Sequence, residues 1–467
     1  MTHRAKIIFL LMTLFALGYN YFLPLHPDEA YYWTWSRHLA WSYFDGPPLI
    51  AYLIKISTSV FGNTAFAIKL ASVICLTLTA GLIHRFTRQL FNAKIAEVAL
   101  IVFLFIPFVQ AGYLITTPDS PLILFWTATL YSFYLALTTH QARFLYLAGT
   151  CAGLMLLSKY TGILLLAALL MYLIFSKHRH YFRNPHLYLA AAWALLLFSP
   201  VLIWNAEHHW MSFAFQWHHG QTSHPVFSFK YVGQYILGQL GAFNPIFWVA
   251  LFVLLICKRR DFAHHDKLYY LLWPFALTFL FFLYSSCFKK SEVNWAAPAY
   301  ISAVILLAYW LVTYKCRKTY VIGLLLSVIV ILVVRVPWAF PFMPNRDVLL
   351  NKFLGYRSIM TQAAPYYRAG DVVLSDAYQR AAEASFYLPG QPPVYIITPT
   401  RFSQHTLWSQ PVKQAILNGK IRQVLYIGDI SQRGSLLHFF KRCHLLKHLD
   451  YTGRFNTRQR VLLLCTQ

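Results

Sequence analysis

The chain has 467 residues, of which 58% are hydrophobic and 12% are charged, with a mean hydropathy of +0.49. Soluble domains are about 25% charged, so this composition excludes an ordinary soluble protein. The formal charge of +25 does not indicate nucleic-acid binding, because the basic residues lie at the ends of apolar segments and form no single patch. The seven cysteines show no metal-binding CxxC or Cys/His spacing.

Apolar windows long enough to cross a bilayer core of about 30 Å recur along the first three-quarters of the chain. We therefore predict a polytopic α-helical membrane protein with about eleven transmembrane helices. The first segment is too long, and is followed by too many others, to be a cleaved signal peptide. The predicted spans are 7–24, 66–84, 95–115, 120–138, 144–157, 161–175, 187–204, 239–257, 268–286, 295–313 and 319–338.

Lysine and arginine are distributed unevenly between the two sets of loops. With a cytoplasmic N-terminus, one set contains fourteen of these residues and the opposite set contains six. The positive-inside rule then assigns the poorer set to the extracytoplasmic side. That side comprises 26–65, 116–119, 205–238, 287–294 and everything after 339, so any chemistry in these loops faces away from the cytosol.

The first of these outer loops is rich in Trp and Tyr and moderately apolar, which is typical of helices that lie in the membrane interface. We predict two such helices, 28–39 and 47–60. A change of composition near residue 345 indicates a second domain, so we predict a transmembrane domain over 1–338 and a small periplasmic α/β domain over 345–467.

Within this second domain, four stretches predict strands, and helical patterns at 377–387, 411–418 and 434–446 lie between them. Sixteen basic residues against six acidic ones leave the domain at about +10, which suits contact with anionic lipid headgroups. Cys443 and Cys465 would lie in an oxidising compartment and could pair. The four strand stretches are "DVVLS", "PPVYIIT", "QVLYIGD" and "RVLLLCT".

Asp28 and Glu29 stand side by side directly after the first span, in "PLHPDEAYYWTW". They could simply favour a helix N-terminus, because Pro27 suits the first helical position and acids suit the first turn. Neighbours on a helix point about 100° apart, so only one of the two can face a substrate. We predict that Asp28 has the catalytic role and that Glu29 supports it with a hydrogen bond.

Asp119 in "TTPDSP" is predicted on the same membrane face as Asp28. It could be the N-cap of the following span, with Pro121 in the first turn. Two carboxylates that converge at that face could instead serve as a base or as ligands of a hard divalent cation. We therefore include Asp119 among the catalytic candidates and name no certain cofactor.

Further candidates could hold an anionic phosphate. Asp45-Gly46-Pro47-Pro48 is a turn by composition, yet Tyr43 and Asp45 belong to the same outer loop as Asp28. Lysines at span ends usually extend their ammonium groups to the lipid headgroups. Lysines at the outer boundary, however, oppose the overall charge bias, and binding of an anionic phosphate would explain their presence there. The donor or phosphate candidates are Tyr31, Tyr43, Asp45, Lys159, Lys289 and Lys290.

The histidines near residues 205–219, in "WNAEHHW" and "QWHHG", are also predicted outside. A zinc site there is conceivable, but the adjacent pair His208 and His209 matches no standard zinc spacing.

Seven stretches in the same order resemble the bacterial branch of the protein O-mannosyltransferase-like superfamily, membrane glycosyltransferases of the C-type fold related to the aminoarabinose transferase that modifies lipid A. The resemblance extends from Leu25 to about Trp408. It rests on "HPDEAYYWTW", "YFDGPPLIAYL", "ITTPDSPLILFW", "GLMLLSKYTG", "SPVLIWNAEHHWMSFAFQ", "EVNWAAPAY" and "FYLPGQPPV".

The resemblance implies a transferase that uses a sugar on a polyprenyl phosphate at the periplasmic side of the bacterial inner membrane. The acidic residues of the first and second outer loops then correspond to Asp28 and Asp119. An arginine and a lysine of the aminoarabinose transferase motifs are replaced here by Tyr31 and Gly46. Lys159, Lys289 or Lys290 would have to supply the missing cations.

Three functions remain open at this stage. The first is inverting transfer of a lipid-linked sugar to lipid A or another envelope glycolipid, with membrane lipids as partners and no nucleic acid. The second is transfer to protein Ser or Thr. The third is a flippase for lipid-linked sugars with no covalent step; a transporter would have ionisable residues along a path near the bilayer midplane, whereas most acids here lie at one outer boundary.

Overall fold

The computed structural model describes residues 1–220, 226–336, 351–452 and 457–467. It divides into two compact units. Unit 1 comprises Met1–Tyr19, Gly46–Leu53 and Lys69–Leu332, and unit 2 comprises Asn20–Asp45, Ile54–Ile68 and Val333–Gln467. The second unit therefore combines the C-terminal region with two segments from the N-terminal part of the chain.

Within the described residues each of the eleven predicted spans overlaps a helix, although several are interrupted and the last, 319–338, extends beyond residue 336. In the described residues, five helices are long and apolar enough to cross a membrane, or up to seven if each of two bent pairs is one span. The helices up to residue 336 are α1 His3–Phe22, α2 Pro27–Arg37, α3 Leu49–Phe61, α4 Ala65–Leu90, α5 Ala93–Phe105, α6 Pro107–Gly112, α7 Asp119–Thr139, α8 Ala142–Ser158, α9 Ile163–Phe175, α10 Pro185–Glu207, α11 Met211–Gly220, α12 Phe229–Phe243, α13 Pro245–Cys257, α14 Asp261–His264, α15 Asp266–Ser286, α16 Ala299–Thr313 and α17 Arg317–Arg335.

Two predicted spans are broken in front of a proline. Ile106 precedes Pro107 and Asn244 precedes Pro245, and both have extended ψ angles of 129° and 121°. Steric conflict with the proline ring disfavours helical backbone at the preceding residue. The predicted span 95–115 is therefore divided into α5 and α6, and 239–257 is bent by 107° between α12 and α13.

Asn244 stabilises the second of these bends. Its φ of 96° lies in the left-handed region, and its side-chain oxygen accepts hydrogen bonds from the Ile246 and Phe247 amides at 2.9 and 3.2 Å. Its side-chain nitrogen donates to the Gly323 carbonyl at 2.7 Å and to Ser327 Oγ at 2.8 Å. The side chain thus caps α13 and joins it to α17, which offsets the cost of the unusual backbone.

Unit 1 is one hydrophobic core built from its helices. Helices α8 and α10 pack closely because Gly149 and Gly153 face Ala190 and Leu197. A Cβ at Gly153 would lie 2.7 Å from the Leu197 Cβ, and one at Gly149 would overlap the Ala190 carbonyl. Small residues spaced four apart are a common means of close helix contact in membranes.

Unit 2 contains a five-stranded mixed sheet of order β2-β1-β3-β5-β4. Strand β1 is parallel to β2 and β3, and β5 is antiparallel to β3 and β4. The strands are β1 Val373–Leu374, β2 Val394–Tyr395, β3 Gln423–Gly428, β4 Arg442–Thr452 and β5 Thr457–Thr466. The helices of this region are α18 Tyr356–Ala363, α19 Tyr378–Tyr387, α20 Gln404–Trp408, α21 Gln410–Leu417 and α22 Arg433–Leu436.

Alternate residues of β3 enter two different cores, as the period of two in a strand requires. Leu425 and Ile427 join the core that includes residues of α18 and α19. Val424 and Tyr426 join the core that includes Ile416 and Leu436. Strand β3 is therefore buried on both of its faces, which agrees with the continuous apolar run in "QVLYIG".

The predicted helix over 434–446 is wrong beyond its first turn. Helix α22 ends at Leu436, and the chain from Arg442 forms β4, which pairs along its length with β5. Cys443 and Cys465 lie opposite each other in this pair and form a disulfide. Backbone pairing with a strand that follows later in the chain outweighs the local helical pattern.

Two neighbouring strands end in the same short motif. Strand β1 is followed by Ser375 and then by Asp-Ala-Tyr-Gln-Arg over 376–380, and β3 is followed by Asp-Ile-Ser-Gln-Arg over 429–433. Asp376 is fully buried, accepts a hydrogen bond from Arg380 Nε at 2.6 Å and accepts another from the Asp429 amide at 3.1 Å. The first aspartate therefore ties the ends of both strands together.

Candidate active site

Asp119 is the centre of a polar cluster in unit 1. It is the first residue of α7, and Pro118 occupies the N-cap position. Its carboxylate accepts hydrogen bonds from Lys159 Nζ at 2.7 Å and from Asn294 Nδ2 at 2.8 Å. The residue is 6% exposed, so the ion pair with Lys159 is largely shielded from water. The carboxylate binds side chains from two other segments and does not act as the N-cap.

Lys159 reaches Asp119 because the chain leaves the helix at this residue. Helix α8 ends at Ser158, Lys159 has extended backbone with φ −161° and ψ 138°, and a 3₁₀ turn follows over Tyr160–Gly162. Asn294 lies on another 3₁₀ turn, Val293–Ala296. Irregular backbone at these two points brings a cation and an amide to one carboxylate.

A second buried cation lies in the same unit, on α4. Lys69 is 1% exposed, and its ammonium donates to the Leu114 carbonyl at 2.9 Å. One turn further along α4, Ser72 Oγ lies 2.7 Å from Ser120 Oγ. Ser120 directly follows Asp119 in the chain. The N-terminal end of α7 is therefore joined to α4 by polar contacts, which an apolar span would lack.

Lys289 and Lys290 have other contacts. Lys289 Nζ donates to the His218 carbonyl at 2.8 Å, and Lys290 Nζ pairs with Glu292 at 2.9 Å, with both side chains of that pair at least half exposed. An exposed pair of this kind contributes little to stability. Their predicted role at a donor phosphate stays a prediction.

The N-terminus of α2, in unit 2, determines the environment of Glu29 and Asp28. Pro27 is the first helical residue, and the His26 side chain accepts a hydrogen bond from the Asp28 amide at 3.3 Å. Glu29 is fully buried and accepts from the His26 amide at 2.8 Å, which completes a capping box. Glu29 thus stabilises the helix end, while the Asp28 side chain remains 36% exposed.

Asp28 Oδ1 accepts a hydrogen bond from Gln379 Nε2 of α19 at 2.9 Å. Its Oδ2 lies 3.6 Å from His26 Nδ1. Because that nitrogen already accepts from the Asp28 amide, neutral His26 offers it no proton. Asp28 therefore has an amide donor on one oxygen and a side chain that is 36% exposed, a suitable arrangement for a general base.

Asp45 is the centre of a second network in unit 2. Arg401 Nη2 donates to its Oδ1 at 2.6 Å, and the Gln404 amide donates to its Oδ2 at 3.1 Å. The Tyr31 hydroxyl donates to the same Oδ2. Burial raises the pKa of the Asp45 carboxyl, while Arg401 and the hydrogen bonds from Tyr31 and Gln404 hold it down. Burial together with Asp45 raises the pKa of Tyr31 well above 10, so its hydroxyl stays protonated and donating.

Tyr378 connects the surroundings of Asp28 and Asp45 within unit 2. Its ring lies 4.6 Å from that of Tyr31, and the Arg401 guanidinium carbon lies 4.5 Å from its centre. Burial, and then the nearby charge of Asp28, raise its pKa to about 12. Its neighbour along α19 is Gln379, the donor to Asp28.

Tyr43 is fully buried and stacks on Trp35 with ring centres 4.2 Å apart. Its hydroxyl lies 3.0 Å from the carbonyl oxygens of Trp35 and His38 and accepts from the Ala40 amide at 3.2 Å. These contacts close the loop after α2. The predicted role of Tyr43 toward a donor stays a prediction.

Four residues of these networks were not identified from the sequence: Asn294, Gln379, Arg401 and Gln404. Asn294 lies in a stretch that carried the family resemblance, which was a usable signal. The other three belong to the C-terminal region, where polar side chains are common on any soluble surface. Arg401 stands beside Tyr31, the position where the related motif has arginine, so a cation is present there from another part of unit 2.

The described part of the chain contains no group of three or more His, Cys, Asp or Glu side chains that could bind a metal ion. The carboxylates that could bind a hard cation have protein partners instead: Lys159 at Asp119 and Arg401 at Asp45. The side chain of His219, near the proposed zinc histidines, lies outside the described residues.

Residues 45–204 match the family described as dolichyl-phosphate-mannose-protein mannosyltransferase. The chain is 25% identical over 384 residues to a lipid A galacturonosyltransferase, RgtD, of Rhizobium johnstonii, with 77% of each chain covered. It is 28% identical over 353 residues to an undecaprenyl phosphate-alpha-4-amino-4-deoxy-L-arabinose arabinosyl transferase of Proteus mirabilis, covering 68% of this chain and 61% of that one.

Among solved structures, the chain is similar to ArnT from Cupriavidus metallidurans bound to undecaprenyl phosphate. The TM-score is 0.72 at 16% identity, over 99% of this chain and 98% of that one. The apo form of the same protein gives a TM-score of 0.71. At this level of identity the similarity establishes the fold.

The fold is therefore that of ArnT, and the family match over residues 45–204 is to glycosyltransferases, as the sequence motifs indicated. Its matched relatives are named as a lipid A galacturonosyltransferase and as aminoarabinose transferases, in agreement with the resemblance carried by the sequence motifs.

Proposed function

We propose that the chain is an inverting glycosyltransferase that moves a sugar from a polyprenyl phosphate to lipid A or a related envelope glycolipid. The observation that supports this most directly is the match over 77% of both chains to a relative named as a lipid A galacturonosyltransferase. The structural similarity to a protein solved with undecaprenyl phosphate supports a polyprenyl-phosphate donor.

In the proposed reaction the acceptor oxygen attacks the anomeric carbon from the face opposite the phosphate. The bond between that carbon and the phosphate oxygen breaks, and the polyprenyl phosphate leaves with the electron pair. A hydroxyl acceptor gives its proton to a carboxylate, for which Asp28 is suited because its side chain is partly exposed. A phosphate acceptor is already ionised and needs only to be oriented.

Lys159 and Asp119 have a different proposed role. The ion pair holds the ammonium in one place, so that Lys159 can stabilise the charge that develops on a leaving phosphate. Asp119 in turn orients Lys159, and Asn294 orients Asp119. Tyr31, Tyr43, Asp45, Lys289 and Lys290 remain proposed donor-binding residues.

We further propose the orientation and organisation of the chain. The outer loops and the α/β region of 345–467 face the periplasm, the membrane domain comprises 1–338, and about eleven helices cross the inner membrane. The disulfide between Cys443 and Cys465 supports this orientation, since such bonds persist in oxidising compartments. The aromatic helices α2 and α3 suit the membrane interface.

A protein acceptor is the second candidate, favoured by the description of the matching family as a protein mannosyltransferase. Mass spectrometry of envelope lipids and proteins from cells with and without the gene separates the two. We expect lipid A or core species to lose one sugar mass when the gene is deleted. Unchanged lipids together with lost protein glycans would establish the second candidate.

Purified protein tests the chemistry directly. We expect Asp28→Asn to abolish sugar transfer from an undecaprenyl-phosphate sugar while donor binding stays within a few-fold. Asp371, a half-buried residue whose carboxylate accepts from the Arg368 amide, provides a control of the same type, and Asp371→Asn should transfer normally. Full turnover by Asp28→Asn would show that Asp28 has no part in the mechanism. If the unmodified protein moves the lipid-linked sugar across the bilayer but transfers no sugar, the flippase function would be favoured.

A further inference from the structure

Helix α19 of the α/β region packs against α2 in unit 2. Two aromatic contacts connect the two helices, Tyr378 with Tyr31 at 4.6 Å and Phe386 with Trp33 at 5.1 Å. The Leu25 amide, just before α2, donates a hydrogen bond to the Tyr387 hydroxyl at 3.0 Å. These contacts extend from the first residue of α19 to the last. The helix is therefore held against α2 along its whole length, and its side chains have defined positions there.

Gln379 projects from this helix toward Asp28. Its side-chain nitrogen donates to Asp28 Oδ1 at 2.9 Å, in a part-buried environment. A carboxylate rotates readily about its last bond, because terminal sp³–sp² torsions are broad. An amide donor to Oδ1 restricts that rotation, and Oδ2 then lies on the side of His26, 3.6 Å from its Nδ1.

The remaining neighbours of Asp28 do not supply this restraint. His26 Nδ1 accepts from the Asp28 amide, so neutral His26 does not donate to the carboxylate. Glu29 is buried and bound to the His26 amide. Burial and the charge of Asp28 raise the pKa of Tyr378, so its phenol stays neutral, and its ring contacts Tyr31 and Arg401.

We propose that Gln379 is a positioning residue of the transfer reaction, through which the α/β region orients the Asp28 carboxylate toward the acceptor. This inference rests on the proposed role of Asp28. It gives the C-terminal region a direct part in the chemistry of the outer loop, in addition to any contact with lipid. A hydrogen bond to a charged group, if lost, typically changes an equilibrium or a rate by about tenfold to a hundredfold.

The twin motif provides a matched control. Gln432 occupies the same place in the second copy, three residues after Asp429, as Gln379 does after Asp376. It lies on the 3₁₀ turn Ile430–Gln432, and no hydrogen bond joins it to Asp28 in the described part of the chain. A substitution at Gln432 therefore tests the general effect of the change without touching the carboxylate.

The experiment compares Gln379→Met, Gln379→Glu and Gln432→Met in the full-length purified protein. Methionine keeps the length and packing of glutamine and removes the donor, while glutamate is isosteric and places a second carboxylate against Asp28. Sugar transfer from an undecaprenyl-phosphate sugar gives kcat and the donor KM, and melting temperature reports folding.

We expect Gln379→Met to lower kcat by about tenfold or more with the donor KM within about twofold, because the lost bond orients a base and binds no donor. Gln379→Glu should lower kcat further at neutral pH, since like charges repel, and Gln432→Met should match the unmodified protein. Melting temperatures of all three should agree.

Two outcomes overturn the proposal. A kcat for Gln379→Met within twofold of the unmodified protein would show that Asp28 needs no orientation by this residue. A loss of kcat that accompanies an equal change of donor KM or a lowered melting temperature would assign Gln379 to binding or folding. Asp28→Asn is measured in parallel to distinguish failure of the Gln379 proposal from failure of the proposed role of Asp28. If the Asp28→Asn variant transfers sugar fully, Asp28 itself is not the base.

Discussion

Three aspartates of the predicted outer loops differ in chemistry because their neighbours differ. Asp45 is bound by a guanidinium, a phenol and a backbone amide, so both of its carboxylate oxygens accept hydrogen bonds. Asp119 shares a part-buried ion pair with Lys159. Asp28 has one amide donor and a side chain that is 36% exposed. Of the three, Asp28 is the best placed to receive a proton from an acceptor.

The buried pair at Asp119 makes a strong prediction for a single substitution. Asp119→Asn removes the charge that holds Lys159 and should lower sugar transfer at least a hundredfold, on the order of a general-base or positioning effect. Transfer by purified protein, with melting temperature as the check on folding, is the measurement.

Glu292→Gln is the matched control, because it breaks the exposed pair with Lys290 and should change transfer by less than about twofold. If Asp119→Asn lowers sugar transfer by less than about threefold, Asp119 serves only to stabilise the start of α7. Lys159 would then have no place in the proposed phosphate site.

At the scale of elements, close packing of α8 on α10 depends on the absence of a side chain at Gly149. Gly149→Ala should destabilise the protein by about 1–3 kcal/mol, because the new methyl group would overlap the Ala190 carbonyl. Thermal unfolding in detergent measures the change.

Gly81, in the middle of α4, is the control for this substitution. A Cβ there meets no atom within 4 Å, so Gly81→Ala should leave stability unchanged or raise it slightly, since alanine favours helix more than glycine does. Equal melting temperatures for the two variants would contradict the assigned packing of α8 on α10.

Elements also show where local pattern and tertiary context disagree. The strand β4 was predicted as helix, yet its backbone pairs with β5 from Arg442 to Thr452 and its Cys443 bonds to Cys465. The first turn of the predicted helix, Arg433–Leu436, does form. Local spacing therefore predicted the start of the segment, and a partner that lies later in the chain determined the rest.

At the scale of the whole molecule, the proposed orientation assigns every acidic cluster to one side of the membrane. After the five free cysteines have been replaced by serine, a membrane-impermeant thiol reagent should label Ser59→Cys from the periplasmic side of spheroplasts. The exposed position Lys94, in a predicted cytoplasmic loop, should be labelled as Lys94→Cys only after lysis.

The opposite labelling pattern would place the loop that contains Asp28 in the cytosol. A periplasmic reaction and an oxidised Cys443–Cys465 pair would then both be untenable. If the Cys variants at positions 59 and 94 are both labelled from the same side, the two positions lie on one side of the membrane. The chain between them would then cross the membrane an even number of times.

The class of this protein could be predicted from its sequence alone. Hydropathy identified segments that are all helical, charge bias predicted their orientation, and motifs such as "HPDEAYYWTW" indicated the superfamily. These features are local: apolar length, backbone restriction before proline and helix-end chemistry depend on a few neighbouring residues. For the same reason the strands around 373, 394 and 423 could be predicted.

The partners of the candidate residues were decided by tertiary structure. Gln379 and Arg401 lie more than 300 residues beyond Asp28 and Asp45 in the chain, and Asn294 lies 175 residues beyond Asp119. No local pattern distinguishes a glutamine that orients a carboxylate from one that is merely solvated. The acidic residues could be identified from the sequence because Asp and Glu are rare in such an apolar chain. Their hydrogen-bond partners are brought to them only when distant segments of the chain pack together.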